Sequence, residues 1–342
     1  MLHPVSFRRQ AMAPTRAYER TTTSLPVPPQ VKAVVFDRYG APEVLHAIEL
    51  PMPQAGPGEV RIRVRAAGVR PSDIALRRGI GAADAGQAFP RRLGNEFAGI
   101  VDQVGADVRD LDIGDEVLGW AVAMSYAEVL TVPAEQVVHK PETMSWAVAG
   151  ALPSTGQSAL GALRVLGVEH GHTVLIHGAA SGIGSVAVQL ARAWGAQVIG
   201  SAAANDHDYL RSLGAQPVLD DREGIEQTRA LVPQGVDAIF DALGSEVHEG
   251  WLALGAAPSR IATLCDSDQA RRLGLRTLRS QRSRAHLHEL MAMHVRHGLL
   301  VHVREMFPLT RAAEAHRAVE RGHGRGKVVL MVYEAMAMKH SA

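Results

Sequence analysis

The stretch VLIHGAASGIGSVAVQLARAWGAQVIGS, residues 174–201, limits what this 342-residue chain can fold into more than any other segment. Residues 174–177 are a short apolar run of strand type and residues 178–184 crowd small side chains together. Residues 185–194 repeat apolar side chains at helical spacing, and residues 197–201 supply a second strand. Strand, small-residue turn, helix and strand make the unit of a doubly wound sheet. Small residues in such a turn let a diphosphate approach backbone N–H groups at the positive end of a helix, and Gly182 and Gly184 permit that approach. The same glycines also suit a tight βα turn without a ligand. Their placement between two strands selects the dinucleotide reading.

The chain exceeds the length of one typical domain, so two cores are expected. Lys plus Arg (36) nearly cancels Asp plus Glu (35), so no net field draws the protein to nucleic acid or an anionic membrane. No apolar run reaches the roughly 18 residues a membrane-spanning helix needs. The single cysteine, Cys265, excludes an internal disulfide and a cysteine-rich zinc site, and fits a reducing, cytoplasmic location. Residues 1–30 carry Arg8, Arg9, Arg16 and Arg20 against Glu19, then Pro26, Pro28 and Pro29. They read as a disordered leader, with a transit peptide as the alternative and Met12 as a possible start.

From residue 31 short β-type runs are punctuated by Gly40, Pro42, Pro51, Pro53, Gly56, Pro57 and Gly58. Residues 60–64 alternate, which turns Arg61 and Arg63 outward. Further strands are expected at 99–104, 116–119 and 127–132. An all-β, barrel-like unit thus precedes the doubly wound one.

The blocks at 31–40, AAGVRPSD (66–73), LGNEFAGIVDQVG (93–105), IGDEVLG (113–119), SYAEVLTVPAEQVV (125–138) and HGAASGIG resemble the medium-chain dehydrogenase/reductase superfamily. Within it they are most similar to the zinc-independent quinone oxidoreductase, zeta-crystallin-like branch; residues 307–332 resemble its C-terminal segment. The resemblance implies a GroES-like β-barrel catalytic domain (31–150), a Rossmann domain with a doubly wound parallel sheet that binds NADP (151–285), and a C-terminal segment (286–342) returning to the first domain. It also implies a homodimer, formed through the edge strand of the nucleotide domain.

Zinc alcohol dehydrogenases of this superfamily have a Cys near the position of Arg70, a His at that of Asn95, and a four-cysteine lobe. Without thiolate and imidazole ligands a tetrahedral zinc site cannot be built there. His286, His288, His294, His297 and His302 cluster in sequence, with His294 and His297 at i,i+3; they read as a solvated helix face.

By resemblance, Ala180, Ser181, Gly182, Ile183 and Gly184 line the diphosphate, and Asp241, Ala242, Leu243, Gly244 and Thr263 approach the nicotinamide side from strand ends. Their alternative reading is ordinary loop residues. NAD specificity calls for a carboxylate at the end of the second strand, where this chain has Ser201, so NADPH is favoured and NADH remains possible. The family's Lys and Tyr positions beyond that strand fall on Asp206 and Asp221, which weakens the preference. Arg211 is a substitute guanidinium, and Lys327 matches a family cofactor contact. Both also read as surface charges.

Many relatives carry Asn where this chain has Arg70. A guanidinium facing the cleft suits a carboxylate or phosphate, or polarises an enone oxygen; turned outward it is a surface charge. Asp73 either orients the site or caps residues 74–78. Tyr126 either relays a proton or is a barrel aromatic. The related enoyl reductases use a Tyr beyond the AAGVNPxD block, and residues 79–81 have none. The expected activity is hydride delivery from NADPH to a small-molecule quinone, enone or ketone without a metal, protonation coming from solvent or Tyr126. Two alternatives remain: a biosynthetic enoyl or keto reductase with a specific anionic or carbonyl-rich substrate, and a dinucleotide-binding protein without redox turnover.

Overall fold

The computed structural model describes residues 30–80, 88–244, 249–278, 281–322 and 324–332. The expected disordered leader lies outside the described residues except for Gln30, which opens the strand Gln30–Phe36.

The barrel is organised on the long strand Glu59–Val69. It pairs antiparallel with Glu96–Val104, Val129–Pro133 and the chain's last described strand, Lys327–Met331. Glu116–Trp120 and Val137–His139 extend the sheet on one side and Val303–Pro308 on the other; Leu45–Pro51, Gln30–Phe36 and Arg91–Arg92 form a separate three-stranded sheet. The alternation at residues 60–64 is real, because Val60, Ile62 and Val64 are buried, but the opposite face is covered rather than wet. Arg61 is only 2% exposed, its Nε donating to Asp102 Oδ1 at 2.7 Å and its Nη1 to the Pro53 carbonyl. Arg63 is 24% exposed and shares the same carboxylate. The expected outward turn of Arg61 is thus corrected: period two sorts residues onto two faces, and a neighbouring segment decides whether the second face meets water.

The second sheet has six parallel strands in the order Gln216–Val218, Gln197–Ser201, Thr173–His177, Ala238–Asp241, Ile261–Thr263 and Arg276–Thr277. After Thr173–His177 the chain winds outward through two strands, then returns to lay Ala238–Asp241 on the other side. That reversal opens a crevice at the carboxyl ends of the two central strands, where α/β sheets bind ligands. The register places Ser201, His177, Asp241 and Thr263 in one row at that rim.

Helix Gly182–Ala193 packs on this sheet, helix Pro153–Val165 packs between that helix and the barrel strands, and the core around Leu160, Ile176, Leu190 and Phe240 runs continuously to Ala66, Ala98 and Leu118 of the barrel. A second cluster fills the barrel with Phe36, Ile62, Phe97, Leu130 and Tyr126.

Candidate active site at the switch point

The helix Gly182–Ala193 is capped by Ser181, whose Oγ accepts from Gly184 N at 3.0 Å. Gly182 and Ile183 open it, so their N–H groups have no acceptor a turn earlier. Each glycine of the turn also has a packing role. A Cβ at Gly184 would collide with the Gly178 carbonyl, so its absence lets helix and strand touch. A Cβ at Gly182 would lie 2.6 Å from Lys327 Cδ, so that glycine makes room for a lysine stem. Gly178 has a φ of +69° and Leu243 packs where its side chain would stand, which brings residues 241–244 over the turn.

Asp241 is fully buried: Oδ1 accepts from Leu243 N and Gly244 N, and Oδ2 from Thr263 Oγ1 at 2.7 Å. Its carboxylate shapes the loop that carries Ala242 (buried), Leu243 (53% exposed) and Gly244. Thr263 is equally buried and accepts from Cys265 N. Ser201 shares a 2.7 Å hydrogen bond with His177 Nδ1 and is buried.

The C-terminal strand closes the turn from the barrel side. Gly326 N donates to the Ala180 carbonyl, and Lys327 Nζ reaches Glu96 Oε1 at 2.7 Å. Burial pushes the Lys327 ammonium down, and the Glu96 charge opposes that shift. Glu96 Oε2 also accepts from Ser154 N and Thr155 N, anchoring the start of helix Pro153–Val165, and Gly68 leaves space for the carboxylate. Glu96 stands in the LGNEF block, but nothing local marks it as the counterion of a residue 231 positions away.

Arg211 is not brought to this crevice. It is exposed, paired with Asp208 at 2.7 Å, and lines a surface concavity with Arg192 and Gln197, the first residue of the strand that ends at Ser201. The cation near the strand end is Arg325, which pairs with Asp206 at 3.1 Å and stacks on Tyr209, 4.6 Å from the ring centroid. Asp221 caps the helix Arg222–Leu231.

Asp73 and Tyr126 lie beneath the cleft, inside the barrel. Asp73 accepts from Arg70 N (2.9 Å), Asn95 Nδ2 (2.8 Å) and Tyr126 O–H (3.3 Å), and burial raises its carboxyl despite those donors. It sits in the first turn of helix Pro71–Arg78 rather than ahead of it. Tyr126 is 0% exposed and also lies 3.2 Å from His316 Nε2; burial and the Asp73 charge push its phenol well up. His316 is buried with Nδ1 unpartnered, and burial with the nearby Arg77 charge lowers it to about 3. Neutral His316 and the acidic neighbour orient the phenol toward Asp73.

Above them, Arg70 Nη2 reaches Ser158 Oγ and Arg282 Nη2 reaches Asn95 Oδ1, each at 3.5 Å. Arg282 escaped the sequence reading because it lies in a connecting segment without a motif. Of the histidine cluster, His294 is not on a solvated face: it is 9% exposed and bound to the Leu299 carbonyl and Thr143. Among the described residues no three His, Cys, Asp or Glu side chains are grouped to hold a metal ion, and no helix is long and apolar enough to cross a membrane.

A GroES-like barrel closed against the switch point of a Rossmann-type sheet defines a dehydrogenase/reductase architecture. The alcohol dehydrogenase GroES-like domain family matches residues 56–142, and the zinc-binding dehydrogenase family matches residues 213–330. The chain is 30% identical to the mitochondrial NAD(P)H oxidoreductase RTN4IP1 of Homo sapiens, over 96% of each protein. It superposes on the quinone oxidoreductase of Coxiella burnetii with a TM-score of 0.78 and 30% identity, over 89% of this chain and 100% of that one. With the Escherichia coli quinone oxidoreductase complexed with NADPH the values are 0.78 and 25%, over 88% and 99%. The chain belongs to the medium-chain dehydrogenase/reductase superfamily. It is an oxidoreductase of that type, and its cofactor is a nicotinamide dinucleotide.

Proposed function

We propose that the protein is an NADPH-dependent reductase of quinones or α,β-unsaturated carbonyls that works without zinc. The observation that carries this reading is the convergence, at one switch point, of the Ser181-capped turn, the loop built by Asp241 and Thr263, and Lys327 on Glu96. When bound, the reduced nicotinamide supplies a hydride to an electrophilic carbon.

The chain's own groups bind and orient. The N–H groups at the start of helix Gly182–Ala193, with Ala180 and Ser181, would hold the diphosphate. Asp241 fixes the loop in which Ala242, Leu243 and Gly244 would border the nicotinamide side. Lys327 would add positive charge beside Gly182. At the far end Arg325 would meet a 2′-phosphate, with Asp206 as its present counterion, and the absence of a carboxylate at Ser201 supports NADPH over NADH. The proton comes from solvent, because the Tyr126 hydroxyl is enclosed between Asp73 and His316. A reduced quinone oxygen is a stabilised anion and needs no strong acid. Asn95, at the family's zinc-ligand position, instead ties Asp73 to the first turn of helix Pro153–Val165 by accepting from Ser154 Oγ.

The protein would act as a homodimer in a reducing compartment such as the cytoplasm. The strand Arg276–Thr277 ends the order of the parallel sheet and offers an edge for a second copy.

The test mixes purified protein with NADPH or NADH and a panel of quinones and enones, following reduced-nicotinamide absorbance. Oxidation of NADPH by simple quinones supports the reading. Turnover confined to one enone supports a dedicated biosynthetic reductase, and dinucleotide binding without oxidation by any member overturns the proposal.

A further inference from the structure

Arg70 and Arg282, from two separate segments, come close enough for their charges to act on each other. Arg70 follows the barrel strand Glu59–Val69 and leans on Ser158 of helix Pro153–Val165. Arg282 comes from the segment before helix Arg284–His297, held there by Ser283 N donating to Gln157 Oε1 at 2.8 Å. Each guanidinium is partly buried, and its side-chain acceptor is a neutral oxygen at 3.5 Å, at the outer limit of a hydrogen bond.

Among the described residues neither forms an ion pair, whereas Arg61, Arg77, Arg164, Arg284 and Arg325 all do. The two nearby carboxylates are already engaged: Asp73 by Arg70 N, Asn95 and Tyr126, and Glu96 by Lys327, Ser154 and Thr155. The like charges also feel each other, since Arg70 adds to burial in lowering Arg282. Glu96 and Asp73 oppose that shift from a distance, but neither makes an ion pair with Arg70 or Arg282, so an anion that reaches both guanidiniums would offset their partial burial.

We infer that Arg70 and Arg282 form a two-guanidinium clamp for a carboxylate carried by the substrate, so that the protein prefers acidic enones or quinones to neutral ones. The inference rests on the proposed reductase activity and narrows its substrate class. Planar guanidinium forks suit a carboxylate, each offering paired N–H donors, and would set the reducible carbons at a fixed distance from the anchor.

The probes are (E)-3-benzoylacrylate and its methyl ester, which share one reducible enone and differ in charge. The wild-type protein should favour the acid in kcat/KM, although the ester is the more electrophilic. Arg282→Gln and Arg70→Gln should each lower kcat/KM for the acid by about tenfold or more beyond their effect on the ester, mainly through KM. Arg282→Lys should recover part of the loss. Calorimetry with the saturated acid 3-benzoylpropionate and NADP+ gives a readout that needs no turnover: binding should weaken in both variants and with added NaCl.

Equal losses on acid and ester, or no wild-type preference for the acid, would overturn the clamp. So would an NADPH Kd raised tenfold in the Gln variants, because the pair would then serve the dinucleotide. If neither probe nor any quinone or enone of the panel oxidises NADPH, the reductase reading fails, and 3-benzoylpropionate binding still decides the anion site.

Discussion

Lys327 and Glu96, 231 residues apart, meet at 2.7 Å with side chains 7% and 0% exposed. The lysine stem lies over Gly182 and the carboxylate holds the first amides of helix Pro153–Val165, so one ion pair fastens barrel, C-terminal strand and phosphate-type turn together. Lys327→Met leaves a buried carboxylate without its cation and should cost about 3 to 5 kcal/mol in urea unfolding. Adding Glu96→Gln should return part of that loss. A double-mutant cycle without coupling would contradict the linkage.

The two glycines of the turn should respond differently to a methyl group. At Gly184 the obstacle is the backbone carbonyl of Gly178, which cannot turn aside, so Gly184→Ala should cost about 1 to 3 kcal/mol and weaken dinucleotide binding. At Gly182 the obstacle is the flexible Lys327 stem, so Gly182→Ala should be milder in stability. Thermal unfolding with and without NADPH measures both, and equal effects would refute the distinction.

His316 sets an acid limit on stability. It stays neutral in the folded protein, lowered to about 3 from its ordinary 6.5, chiefly by burial. Between those values the unfolded chain binds a proton that the folded one refuses. The contribution present above pH 6.5 is therefore lost as pH falls, by about 1.4 kcal/mol per pH unit well inside the window. Asp73, raised by burial, acts with the opposite sign but is common to wild type and variant. Denaturant curves from pH 7 to 4 should show a shallower acid loss for His316→Gln; parallel curves would exclude this role.

Cofactor choice should follow Arg325 rather than Arg211. Arg325→Ala should lower kcat/KM with NADPH about tenfold or more relative to NADH, in keeping with a lost charge-assisted contact. Arg211→Ala, at an exposed residue paired with Asp208, should leave that ratio within about twofold. Steady-state kinetics with both dinucleotides decides, and the reverse ranking would refute the assignment.

Tyr126→Phe separates a core phenol from a proton relay. Loss of a buried donor to Asp73 should lower stability by about 1 to 2 kcal/mol while kcat for a simple quinone persists. A fall in kcat of a hundredfold at full folding would restore the relay.

Strand 197–201 and the turn before helix Gly182–Ala193 are legible in sequence because adjacent residues set them: apolar runs, small residues and helical spacing act over a few positions. The roles of the same glycines were not legible, since their neighbours, the Gly178 carbonyl and the Lys327 stem, are fixed by tertiary approach. Arg61 shows the same limit, because a segment bearing Pro53 covers the face that alternation alone assigns to water. Arg282 and Arg325 sit in connections whose local sequence carries no period. A weak signal for Arg325 was its place in the Arg-Gly-Lys turn just before the final strand. Local sequence leaves Tyr126 open as relay or core, and its burial with His316, 190 residues away, belongs to a pairing that no local pattern contains.

The most direct measurement uses NADPH deuterated at the transferable C4 position, chelator-treated protein and benzoylacrylate methyl ester, with mass and NMR analysis of the product. The account predicts one deuterium on the carbon that accepts hydride and a rate that chelation leaves intact. NADPH consumption without label in the product, or activity that returns only with added zinc, would contradict it.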